Sequence, residues 1–183
     1  PRDVVEDLHR LRFPLATKSP RARLWIDLPY NVGEAVVVTY MSYVQGKTCV
    51  LLSDPRYADE AVYTASVTDS AIIVNSDELP DDVLSFMAHQ CQAPMIMIGD
   101  KRAPRVAHVK VLDLNALKLT LGQRWRRVLL EVMCRYYNVV ADDKANRLLQ
   151  QHSDDKFLDA VRLIGLAAGG GVEPVRFSEV VWQ

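Results

Sequence analysis

Ala71-Ile72-Ile73-Val74-Asn75-Ser76-Asp77-Glu78-Leu79-Pro80 decides the fold. A short, unbroken apolar run bounded by polar residues is the pattern of a strand buried on both faces. It ends in an acidic turn and then a proline, and the proline opens a helix whose first turn carries Asp81 and Asp82, where the helix dipole favours acids.

Working outward, the same unit repeats on both sides. Upstream, Leu24-Trp25-Ile26 predicts a strand ending at Asp27, and Thr48–Leu52 predicts a second. Between them a helix is expected from Asn31 to about Gln45, with Glu34 completing a capping box. Its Val36-Val37-Val38 run is β-branched, which weakens helix propensity. Asp54-Pro55 pairs an N-cap with a first-turn proline before a helix over about 56–66. Downstream, a helix is expected over 80–91, a fourth strand over 94–98 and a fifth over 108–112. Strands alternating with helices imply βαβ units and a parallel sheet covered on both faces. The expected fold class is therefore α/β: a flavodoxin-like, five-stranded parallel sheet followed by a helical C-terminal extension.

The remaining segments set the domain boundaries. Residues 1–20 read as a leader and linker, and 21–137 as the α/β domain, closing with a long helix over 114–137. Residues 138–183 read as two helices and an apolar tail packed on the same unit. About 40 residues bury too little apolar surface to stand alone.

Composition narrows the function classes. Of 183 residues, 49% are hydrophobic and 25% charged, with a net charge of −1, so there is no global attraction to nucleic acid or an anionic membrane. No apolar run approaches the roughly 20 residues of a membrane span, and no signal peptide is evident. Cys49, Cys91 and Cys134 lack a C-x-x-C arrangement and read as reduced thiols in a cytoplasmic setting. The four histidines lack metal-ligand spacing, so neither metal nor cofactor is expected. The chain begins at Pro1 without a methionine, as expected of a piece of something longer.

The 71–80 stretch resembles the phosphorylation-site strand of response-regulator receivers, in which an aspartate precedes such a proline by four residues. Here Ser76 stands at that position. Asp27 matches one of the two adjacent acids that receivers place after their first strand, but Leu28 and Pro29 follow it. Gly99 stands where receivers carry a hydroxyl, and Lys110 aligns with their lysine but lacks the proline after it. Asp27, Ser76, Asp77, Gly99 and Lys110 thus form a vestigial receiver site on this resemblance. The alternative is a polar loop at the sheet edge. Asp77 with Asp27 could also take a divalent cation. About ten residues separate Ile98 from Val109, too few for a crossover with a full helix. That shortened connection resembles the degenerate receiver-like linker domains of hybrid sensor kinases. His9-Arg10-Leu11-Arg12-Phe13-Pro14-Leu15 resembles the closing strand of a histidine-kinase ATPase domain.

Two basic groups remain. Lys101, Arg102 and Arg105 form a compact loop that suits a phosphate, a nucleotide or an acidic protein surface, or is simply a solvated loop. Arg124 and Arg127 lie on the long helix, either facing an acidic partner or forming its wet side. Trp125 between them is either buried or an interface anchor. No P-loop, no G-x-S-x-G and no H-E-x-x-H is present, and Gly169-Gly170-Gly171 follows a helix, unlike a phosphate loop. The resemblance implies a non-catalytic pseudo-receiver acting through protein partners or other domains of the same protein. The alternatives are a small α/β enzyme or nucleotide-binding protein using the C-terminal edge of the sheet, and a structural scaffold domain.

Overall fold

The computed structural model describes residues 19–44, 46–112 and 174–178. The leader, the helices expected over 114–137, 141–151 and 153–168, and with them Arg124, Trp125 and Arg127, lie outside the described residues.

The chain runs β1 (Arg23–Ile26), α1 (Tyr30–Val38), β2 (Cys49–Leu52), α2 (Ala58–Val67), β3 (Ala71–Asn75), α3 (Asp81–Gln90), β4 (Met95–Ile98), β5 (Lys110–Leu112) and β6 (Val175–Phe177). The six strands of the described residues are all parallel and form one sheet in the order β5-β1-β4-β3-β2-β6. The α/β class with a parallel sheet thus holds. The count and order differ from the five-strand expectation. β6 pairs with β2, aligning Leu51 with Arg176. β1 lies between β4 and β5, whereas the flavodoxin-like order 2-1-3-4-5 places the first strand beside the second and third.

This wiring explains which helix covers which face. From β2 through β3 to β4 the chain steps one way, by way of α2 and α3, and from β1 to β2 it steps the other way, by way of α1. Right-handed crossovers then place α1 on the face opposite α2 and α3. The packing agrees. Val50, Leu52, Ile72, Val74, Met95 and Met97 pack with Ala61, Val62 and Ala65 of α2 and with Leu84 and Met87 of α3. On the other face Gly33 of α1 lies so close to Ile98 that a Cβ there would collide with the Ile98 side chain. Burial on both faces is what an unbroken apolar run predicts: Ile72, Ile73, Val74, Val50 and Ile98 are fully buried, and Leu51 and Ile96 nearly so.

Helix ends account for smaller departures. Pro29 is the N-cap of α1, with no side-chain cap bond, so the Asn31/Glu34 capping box does not form. Glu34 instead accepts from Arg176 at 2.7 Å, tying α1 to β6. The α-helix stops at Val38, after the Val36-Val37-Val38 run, and continues as a π-helical turn over Thr39–Val44. Asp54 does cap as expected: its carboxylate accepts from the Arg56 N–H at 3.0 Å, and Pro55 opens a 3-10 turn leading into α2. No helix forms between Ile98 and Lys110, as the short connection requires.

One residue ties the base of the sheet together, and its role was not read from the sequence. Arg23, only 6% exposed, makes six hydrogen bonds to the carbonyls of Pro20, Ala22, Ala88, Cys91 and Ala93. Three of those carbonyls lie in or just past the last turn of α3, where orphan C=O groups and the negative dipole end call for a cation. Burial lowers the guanidinium pKa from its ordinary value.

Candidate functional site

Because every strand is parallel, the ends of β1, β4, β3 and β2 deliver Asp27, Gly99, Ser76 and Ser53 to one edge of the sheet. That edge is where open α/β sheets bind ligands. Its centre is the junction of the β3 and β4 turns. The Ser76 N–H donates to the Ile98 carbonyl at 3.0 Å, continuing the ladder one step past the strand ends. The Ser76 hydroxyl is fully buried and has no hydrogen-bond partner among the described residues. Gly99 closes over it: a Cβ on Gly99 would lie 2.5 Å from Ser76 Oγ and 2.6 Å from Asp77 Oδ1. Only a residue without a side chain fits there.

Asp77 is engaged by the neighbouring loop. Its Oδ2 accepts from the Asp100 N–H at 3.2 Å and its Oδ1 from the Lys101 N–H at 3.1 Å. The carboxylate therefore shapes the turn after β4. Trp25 fixes the same turn from below, its indole N–H donating to the Gly99 carbonyl at 3.0 Å.

The remaining expected residues are distributed as follows. Asp27 leaves β1 directly beside the end of β4, partly buried. Lys110 is not brought to Ser76. It pairs with Leu24, two residues before the end of β1, on an exposed edge strand. β1 and β4 separate it from β3, a lateral distance of roughly 14 Å at normal strand spacing. In the basic loop, Arg102 bonds Asp81 and the Leu79 carbonyl, so it joins the loop to the start of α3. Arg105 contributes its backbone: the N–H reaches Asp81 Oδ1 at 3.4 Å and the carbonyl accepts from Ser85 Oγ at 3.1 Å. Lys101 stays exposed.

A cleft of about 530 Å³ opens farther along this edge, lined by Ser53, Asp54, Pro55, Arg56, Glu78 and Ser178. Its charges are largely mutual, since Arg56 and Asp54 pair at 2.7 Å. Among the described residues no cluster of three or more His, Cys, Asp or Glu could hold a metal ion, and no helix is long and apolar enough to cross a membrane.

The resolved pKa shifts among acids and thiols move away from neutrality. Burial pushes the Tyr30 phenol up to about 12 and the Cys49 thiol up to about 11. The Arg56 side chain, followed by its N–H, holds the Asp54 carboxyl below the usual value, and Arg102 does the same for Asp81. Both carboxyls are more acidic folded than unfolded, so their stabilisation is present above the unfolded value near pH 4 and is lost as pH falls through the folded values. Asp54→Asn and Asp81→Asn should each flatten the loss of stability below about pH 4 in urea melts across pH. Asparagine keeps the capping geometry at Asp54. Superimposable acid limbs in variant and parent would remove these pairs from the acid response.

No family model, curated protein or solved structure matches the chain.

Proposed function

We propose that this chain is a non-catalytic, receiver-like interaction module that works by protein contact inside a larger signalling protein or complex. The observation that carries the proposal is the closed junction at the sheet edge. Ser76 occupies the position of the phosphoacceptor in the resemblance, yet its hydroxyl is buried and covered by Gly99. Asp77 beside it holds two loop amides. Phosphoryl transfer needs a free, exposed acceptor group, whereas Ser76 is buried and the Asp77 carboxylate is engaged by two loop amides. The likeness to receivers rests on this layout and on the shortened β4–β5 connection, since the strand order differs.

The outer faces of α2 and α3 support contact as the mode of action. Tyr63 is 69%, Val67 61% and Phe86 48% exposed, more large apolar surface than two solvated helices require. The test is amide NMR of the chain with Mg²⁺ and beryllofluoride, then with a histidine-kinase core. Beryllofluoride should leave Asp27, Ser76, Asp77 and Gly99 unshifted, and the kinase core should shift residues of α2 and α3. Saturable beryllofluoride shifts at Ser76 and Asp77 would overturn the non-catalytic reading. An α2–α3 surface indifferent to the kinase core would overturn the docking reading.

A further inference from the structure

We propose that a second cleft, at the opposite end of the sheet from the Ser76 junction, binds a small molecule carrying a phosphate group. It measures about 520 Å³ and lies between the start of β1, the outer side of α3 and residues 106–108. That volume falls within the range of roughly 300–1,000 Å³ usual for small-molecule sites.

Its lining is one-sided in charge. Arg21, Arg23, His89 and His108 line it together with Ser85, and no Asp or Glu is among the described lining residues. Among the described residues the Arg23 guanidinium is bonded only by neutral carbonyls, so its positive charge in the wall is matched there by no carboxylate. A charge in such a low-dielectric wall acts on a ligand more strongly than one in water. The C-terminal end of α3 opposes it, but a helix end amounts to about half an elementary charge. Two guanidiniums outweigh that, and the cleft attracts anions.

Contact groups are present as well as charge. Arg21 is exposed and donates one N–H to the His89 carbonyl at 3.2 Å. A guanidinium has five donors in a fork that matches a phosphate, so most of the Arg21 fork remains for a ligand. His108 has φ of +59°, a left-handed conformation uncommon for a residue with a side chain. Glycine would adopt it at no steric cost, so the imidazole can be removed without straining the backbone. The loop that holds it is anchored, through Ser85 to the Arg105 carbonyl and through Val106 and Val109 packed on the core. Ala88, Val106 and Ala107 supply an apolar wall for an organic body attached to the phosphate.

The test is amide NMR titration of the full chain with inorganic pyrophosphate and with ADP at constant ionic strength. Saturable shifts are expected at Arg21, His89 and 106–108. Tighter ADP assigns the apolar wall to an organic body, and equal affinities assign the site to the phosphate alone. Arg21→Gln, at an exposed position, should weaken binding about tenfold, the worth of one charge-assisted hydrogen bond. His108→Gly should weaken binding while the melting temperature holds or rises, because the backbone strain is relieved. Shifts no larger than those from matched sodium chloride, shifts centred on 101–105, or affinities indifferent to both variants would overturn the site. None of these outcomes bears on the Ser76 junction.

Discussion

Arg23→Ala is expected to lower the free energy of unfolding by on the order of 3–5 kcal/mol, since it removes several hydrogen bonds from a charged donor, each worth about 1.5–3 kcal/mol and not additive. Five carbonyls lose a donor; Ala22 keeps the Met95 N–H and Ala93 the Cys91 thiol, but the Cys91 carbonyl is buried, where water does not replace the lost N–H. Each unsatisfied carbonyl would cost about 1–3 kcal/mol alone. The sum is not additive, because removing the guanidinium also removes its own desolvation penalty. Arg23→Lys should recover only part of the loss, since an ammonium has three donors and cannot span acceptors on both sides of a planar fork. Urea denaturation measures both variants, with the slope unchanged and the midpoint lowered. A loss below about 1 kcal/mol for the alanine variant would show that the carbonyls find other donors.

Ser76→Asp should be at least as damaging, on the order of 5 kcal/mol, and should not restore phosphorylation. A carboxylate there would be fully buried, facing Gly99, and beside the carboxylate of Asp77. The effective penalty for such an ion is several kcal/mol even after relaxation, and a like charge adds to it. The new acid escapes by staying protonated, and a protonated acid is no nucleophile. Ser76→Ala is the control. It deletes a buried hydroxyl that has no partner among the described residues, so it should be neutral or stabilising by up to about 1 kcal/mol. Equal destabilisation by alanine and aspartate in thermal melts would mean that the hydroxyl itself holds the junction together.

These residues also show what the sequence carries and what it does not. Strand positions were legible because the signal is local: the 71–74 and 95–98 runs are apolar without a break, and both strands formed where expected. The Asp54-Pro55 cap and the missing helix after Ile98 were legible for the same reason. Strand order was not, because nothing in Arg23-Leu24-Trp25-Ile26 encodes whether its neighbour is β2 or β4. That choice rests on crossovers summed over the whole chain. The extra strand Val175–Phe177 was read only as an extended tail, since it is short and half exposed. At the site, Ser76 and Gly99 were singled out and do meet, whereas Lys110 was aligned by order alone and lies three strands away. Arg23 was overlooked because a lone arginine beside a strand is indistinguishable from a surface cation until the end of α3 is folded over it. Closely spaced basic residues drew attention to 101–105, although the one-sided positive cleft gathers Arg21, His89 and His108 from distant segments.

The position of β1 has a kinetic consequence. β2, β3 and β4 pair in sequence order and can assemble as each is made, through short crossovers. β1 is made before them and has no partner until β4 exists, because both its neighbours come later. Seventy residues separate Arg23 from the Ala93 carbonyl that it must reach. Closing so long a loop is entropically costly, and contacts of that separation form slowly. During synthesis the N-terminal strand therefore waits unpaired while the centre of the sheet assembles without it. It can insert only once β4 and β5 are there to receive it, which leaves an unpaired apolar strand exposed to aggregation in the meantime.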